Sequence, residues 1–266
     1  MTFGRSILAA IAGILLLGAS ASHAVAATVL YNDFTSPNWA TALSGLGITP
    51  TTASSDGDFA SKLNPTVDLA IVQFDQLSHS PSLIVALQGY IAAGGKVILS
   101  DVFHGTDPAE LPFNGQYDAT FGVKQSVIGD DPSLMTALQV TSPALSAGLS
   151  STLLTVFDAP NLSTFWRSFD IIGIGATALA TFDDGTGKAG IVLANGGKTI
   201  INGFGGSTIY GDPATFDPLS LSPADEIRLY QNEVGLLINA VPEPATGALL
   251  GLGLVITAAL GYRRRK

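Results

Sequence analysis

Apolar and polar positions alternate along the chain in short blocks that change period several times, and the blocks predict an ordered series of strands and helices. Val29-Leu30-Tyr31 forms an apolar run that begins a strand. Ser36-Pro37 then opens a helix through Trp39, Leu43 and Leu46 that stops near Gly47: serine accepts from free amides of the first turn, and proline loses no hydrogen bond there. The device recurs. Ser80-Pro81 starts a helix with Leu83, Ile84, Leu87 and Ile91 on one face and Gly94-Gly95 at its end; Asp131-Pro132 starts a shorter one, and Ser222-Pro223 the last. In that last helix Ile227, Tyr230, Val234, Leu237 and Ile238 recur at helical spacing, which leaves Asp225, Glu226, Arg228 and Glu233 off the apolar stripe.

Between the helices, Leu69 to Val72 and Val97 to Leu99 are apolar on both faces, as strands inside a helix-covered parallel sheet must be. Asp68 to Ser100 is therefore strand, capped helix and strand, about the length of a right-handed crossover. Thr177 to Phe182, Gly190 to Ala194 and Lys198 to Phe204 are strand-like and joined by Asp183-Asp184-Gly185-Thr186-Gly187 and Asn195-Gly196-Gly197, whose composition predicts hairpins. Thr51 to Asp58 reads as a polar linker. The predicted domain is α/β: three layers around a mostly parallel, flavodoxin-like sheet with an antiparallel C-terminal extension.

The two ends have a different character. Met1 to Ala24 reads as a secretory signal peptide, with Arg5 as its positive region, Ile7 to Leu17 as its apolar core, and Ser22-His23-Ala24 or Val25-Ala26-Ala27 as its cleavage site. From Ala245 to Tyr262 the chain has 18 residues without a charge. As a helix they reach about 27 Å, near the thickness of a bilayer's hydrocarbon core. Arg263, Arg264, Arg265 and Lys266 follow, and basic segments of this kind stay on the cytoplasmic side. The chain thus divides into a leader (1–24), an extracytoplasmic domain (28–240) and a tail (241–266) with one transmembrane helix.

Composition narrows the chemistry. Residues 28–240 hold seven Lys or Arg against twenty Asp or Glu, a balance of −13. So acidic a domain disfavours nucleic acid and anionic membrane surfaces as partners. Cysteine is absent, which removes disulfides, thiol catalysis and thiolate metal sites.

The tail resembles the PEP-CTERM sorting signal of Gram-negative, exopolysaccharide-producing bacteria: Pro242, Glu243 and Pro244 match the motif, and Arg263 to Arg265 the terminal arginine cluster. The resemblance implies an exosortase-type processing enzyme as partner, anchorage in the inner membrane before processing, and later display at the cell surface or in the extracellular matrix. The order of elements between Thr28 and Ala240 resembles class I glutamine amidotransferase-like, flavodoxin-like domains. Enzymatic members carry a cysteine nucleophile at the turn after the strand corresponding to Val97 to Ser100. Here the turn is Ser100-Asp101-Val102-Phe103-His104-Gly105, so amidotransferase chemistry is excluded.

Ligands of open α/β sheets bind outside the carboxyl ends of the strands. Ser100, Asp101 and His104 follow one such end, and Asp75 and His79 the neighbouring one. They are the candidates for an acid–base or metal site, with Asp75, Asp101 and His104 as the catalytic set. The plainer reading, aspartates capping helices and histidines on exposed loops, is preferred, because no His-Glu-x-x-His, Gly-x-Ser-x-Gly or phosphate-loop pattern supports the first. Asp56-Gly57-Asp58 and Asp183-Asp184-Gly185 offer oxygen ligands for calcium but have turn composition and lack the rest of a calcium loop. Phe157, Phe165, Trp166 and Phe169 suit sugar stacking or, more simply, a core. No cofactor and no metal are called for. The expected function is that of an exported, non-enzymatic surface protein associated with exopolysaccharide or biofilm; the alternative is an exported hydrolase of polysaccharide or its esters.

Overall fold

A computed structural model describes residues 27–32, 37–74, 80–101, 120–129, 137–155, 166–183, 187–204 and 223–238. The elements are, in chain order, β1 (Val29–Asn32), α1 (Pro37–Gly45), β2 (Thr51–Ala53), α2 (Asp56–Lys62), β3 (Leu69–Phe74), α3 (Pro81–Ala92), β4 (Val97–Asp101), β5 (Val123–Gly129), β6 (Ala137–Val140), α4 (Pro143–Ser146), β7 (Leu153–Thr155), β8 (Trp166–Ile171), β9 (Thr177–Phe182), β10 (Ala189–Ala194), β11 (Thr199–Asn202) and α5 (Pro223–Ile238).

Strands β2, β1, β3, β4 and β11 lie side by side and parallel, in that order. The sheet continues antiparallel through β10, β9, β6 and β7, while β8 pairs with both β10 and β5. The crossover β3-α3-β4 is present as the sequence predicts. Serine at its helix start does what the composition implies: Ser80 Oγ accepts from the Ser82 amide at 3.2 Å. The β10-β11 hairpin turns through Asn195, Gly196 and Gly197, all at positive φ, a conformation that asparagine tolerates and glycine adopts without penalty.

Alternation sends the side chains of each central strand to two cores. Val29, Tyr31, Leu69, Ile71, Ile98 and Ile200 pack with Trp39 and Leu43 of α1 and with Leu229, Tyr230, Val234 and Leu237 of α5. Leu30, Ala70, Val72, Val97, Leu99 and Ile201 pack on the opposite face with Phe59 of α2 and Leu83, Ile84 and Leu87 of α3. The predicted three layers are thus present.

Two expectations are corrected. The sheet is not mostly parallel: among the described residues four pairings are parallel and six antiparallel. The residues between β4 and β9 contribute β5 to β8, all antiparallel. Thr51 to Asp58 is not a linker but the edge strand β2 and the start of α2. Ser55 Oγ accepts from the Asp58 amide at 3.1 Å, and Asp58 Oδ2 accepts from the Ser54 amide at 3.0 Å, a reciprocal cap that starts a helix despite polar composition. Asp58 also pairs with Lys62 one turn on, at 2.7 Å, and that contact holds its carboxyl below the usual range.

Among the described residues no helix is long and apolar enough to cross a membrane. The leader, the helix expected at Asp131-Pro132 and the tail, with its expected transmembrane helix, lie outside the described residues.

Candidate functional site

The parallel strands β1, β3, β4 and β11 all point their carboxyl ends to one edge of the sheet, and there the apolar pattern gives way to polar residues. Asn32, Gln73, Ser100 and Asn202 are each at least 98% buried. Gln73, Ser100 and Asn202 are paired across neighbouring strands. They follow Ile71, Ile98 and Ile200 by two residues, so the period of two places all three on the face covered by α1 and α5. Asn32 extends the ladder beyond the paired residues of β1 and β3: its Nδ2 donates to the Gln73 carbonyl and its Oδ1 accepts from the Gln73 amide, both at 3.3 Å.

Glu233 of α5 completes this seam. Asn202 Nδ2 donates to Glu233 Oε2 at 3.0 Å and lies 3.4 Å from Ser100 Oγ. Glu233 is fully buried, and its Oε1 and the Asn202 Oδ1 have no hydrogen-bond partner. Burial pushes the Glu233 carboxyl up to about 8, against the Asn202 bond, which favours the charged form. At neutral pH Glu233 is therefore a neutral acid. A proton on Oε1 turns one of the two stranded acceptors into a donor.

Helix α5 is fixed at this edge by polar contacts along its length. Asn38 Nδ2 donates to Glu226 Oε2 at 2.6 Å, the Ser150 amide donates to Asp225 Oδ1 at 2.7 Å, and Asn232 Nδ2 donates to the Leu145 and Ala147 carbonyls at 2.7 and 2.9 Å. The rings of Trp39 and Tyr230 stack with centroids 3.9 Å apart and planes 8° from parallel. Burial first, and then the Glu226 carboxylate, raise the Tyr230 hydroxyl well above its ordinary value.

Of the residues singled out in the sequence, Ser100 belongs to this seam, buried rather than open on a rim. Asp75, His79 and His104 lie outside the described residues, and Asp101 is described only by its backbone, as the last residue of β4. Asp56 and Asp58 serve helix starts rather than an ion: Asp56 Oδ2 accepts from the Ser80 amide at 2.6 Å. Asp183 is in the turn after β9, with Asp184 and Gly185 outside the described residues. Phe169 is core, Trp166 is placed by its backbone in β8, and Phe157 and Phe165 lie outside the described residues. Pro242, Glu243, Pro244 and Arg263 to Arg265 lie outside them as well. Among the described residues no group of three or more histidine, aspartate or glutamate side chains could hold a metal ion.

The corrected residues are on α5. Asp225, Glu226 and Glu233, expected off the apolar stripe, are all buried. The signal was spacing: Glu233 is three residues after Tyr230 and four before Leu237, and so on their face.

The PEP-CTERM protein-sorting motif matches residues 240–266. A chain with this motif is an exported protein sorted by exosortase. Among curated proteins none matches the chain. Two solved structures are similar at low identity. The mmIFT52 N-terminal domain is 14% identical, covers 66% of this chain and 86% of its own, and superposes with a TM-score of 0.45. A ThuA-like protein from Parabacteroides merdae ATCC 43184 is 11% identical, with 79% of this chain and 89% of its own covered and a TM-score of 0.44.

Proposed function

We propose that this is a non-catalytic protein of the cell surface or extracellular matrix, associated with exopolysaccharide or biofilm. The tail holds it in the inner membrane, with the domain outside the cytoplasm, until exosortase processes it. The observation that carries this reading is the sorting motif at residues 240–266 behind an acidic, cysteine-free domain. We further read the domain as a cysteine-free relative of amidotransferase-like domains, supported by the parallel order β2-β1-β3-β4 and the β3-α3-β4 crossover.

The test is co-sedimentation of residues 28–240 with the producing organism's exopolysaccharide, with the supernatant assayed for new sugar ends. Saturable binding without release is expected. Absence of binding overturns the association.

The alternative is an exported hydrolase of polysaccharide or its esters, acting through carboxylates such as Asp75 and Asp101 with His104. Release of sugar ends that scales with protein and vanishes in Asp101→Ala would establish it in place of the non-catalytic role.

A further inference from the structure

At the opposite, amino edge of the parallel strands is a groove of about 460 Å³, inside the range of about 300 to 1,000 Å³ over which small-molecule clefts occur. Its walls come from the segment leading into β3, the last turns of α3 and the turn into β4. Tyr90 closes one side. Its hydroxyl donates to the Val67 carbonyl at 2.7 Å, and its ring lies so close over Gly95 that a Cβ there would collide with it.

The charged lining residues are Asp68 and Lys96. Asp68 is exposed and uses Oδ2 to accept from the Thr28 amide at 2.7 Å, which leaves Oδ1 to accept from a ligand. Lys96 takes part in neither ion pair found among the described residues, which join Lys62 to Asp58 and Lys188 to Asp170.

Gly89 is the most informative lining residue. It is exposed in the interior of α3, and a Cβ on it would meet nothing within 4 Å. No packing demand requires glycine there, and it costs the helix about 1 kcal/mol relative to alanine. What a side chain at Gly89 would do is occupy the groove.

We propose that this groove binds neutral hexopyranose units of a polysaccharide, with Asp68 accepting from sugar hydroxyls, Lys96 donating to them and the Gly89 floor receiving the ring's carbon-bound hydrogens. The inference rests on the polysaccharide association proposed above and gives it a location. The ligand is neutral because a domain of net charge −13 repels a polyanion, even though Lys198 Nζ lies beside Gly94 and adds a second ammonium near Asp68 and Lys96.

The experiment measures co-sedimentation of residues 28–240 with the producing organism's exopolysaccharide for the wild type, Gly89→Leu and Lys96→Ala, at low and high salt. Gly89→Leu is expected to abolish binding while melting at or above the wild-type temperature, because leucine favours the helix and meets open space. Lys96→Ala is expected to weaken binding roughly ten- to hundredfold, the loss of one hydrogen bond to a charged donor. Wild-type binding is expected to persist at high salt, as contacts to a neutral sugar are not screened. Unchanged binding by both variants overturns the groove and leaves the association standing. Binding that collapses in salt overturns the neutral ligand, and absence of wild-type binding overturns association and groove together.

Discussion

Replacing Glu233 by glutamine is expected to make the domain more stable at alkaline pH and to flatten its dependence on pH. The wild-type carboxyl titrates at about 8 in the folded chain against 4.5 for the unperturbed group. Between those values the folded chain holds a proton that the unfolded chain has lost. Stability from this group is therefore fully present below the unfolded value, and falls as pH rises through the window, by roughly 1.4 kcal/mol per pH unit at most. By about pH 9 the accumulated loss is on the order of a few kcal/mol, a large part of the roughly 5 to 15 kcal/mol that stabilises a domain. Glutamine keeps the shape and the acceptor for Asn202 Nδ2, and does not titrate. Urea unfolding of both proteins from about pH 5 to about pH 9 checks this, since every other titrating group is common to the pair. A stability difference that stays constant across the series would show that Glu233 is ionised throughout.

Trp39→Ala is expected to cost about 3 to 5 kcal/mol, enough to bring the domain close to unfolding at ordinary temperature. Trp39 is fully buried, stacks on Tyr230 and belongs to the core that joins α1 and α5 to the sheet. Its removal leaves a cavity between the two helices that the sheet beneath cannot fill. The consequence reaches the polar seam, because α5 carries Glu226, which Asn38 of α1 contacts, and Glu233. Trp39→Phe keeps an aromatic face for Tyr230 and should recover much of the loss, the more so because the Trp39 Nε1 makes no hydrogen bond that phenylalanine would forfeit. Urea midpoints measure both. A loss below about 1 kcal/mol for alanine would mean that the helices are held to the sheet by other contacts.

What could be read from the sequence was what local chemistry decides. The Ser-Pro start at Ser80 and the glycine stop after it mark α3 wherever the chain goes, and Val97 to Leu99 needs burial on both faces whatever its neighbours are. Helix α2 escaped because it carries a single buried side chain, Phe59, and one apolar residue has no period. Strands β6 and β7 have four and three residues, too few for alternation to stand out, so the extent of the antiparallel region was hidden. Glu233 escaped for another reason. Its charge in water suggests exposure, but its position between Tyr230 and Leu237 fixes it on the buried face, where neutralisation is the less costly state. The seam formed by Gln73, Ser100 and Asn202 depends on strand register, which aligns residues 73, 100 and 202 and which no local pattern encodes.

The most direct test of an exported, exosortase-sorted protein is its size and location in the producing organism with and without exosortase. Immunoblots of inner-membrane, surface and medium fractions, probed against the 28–240 domain, provide both. With exosortase, the predicted product is a chain shortened at its C-terminus and found outside the inner membrane; without it, the longer form stays at that membrane. A full-length chain at the inner membrane in both strains, or in the cytoplasm of either, would contradict the account.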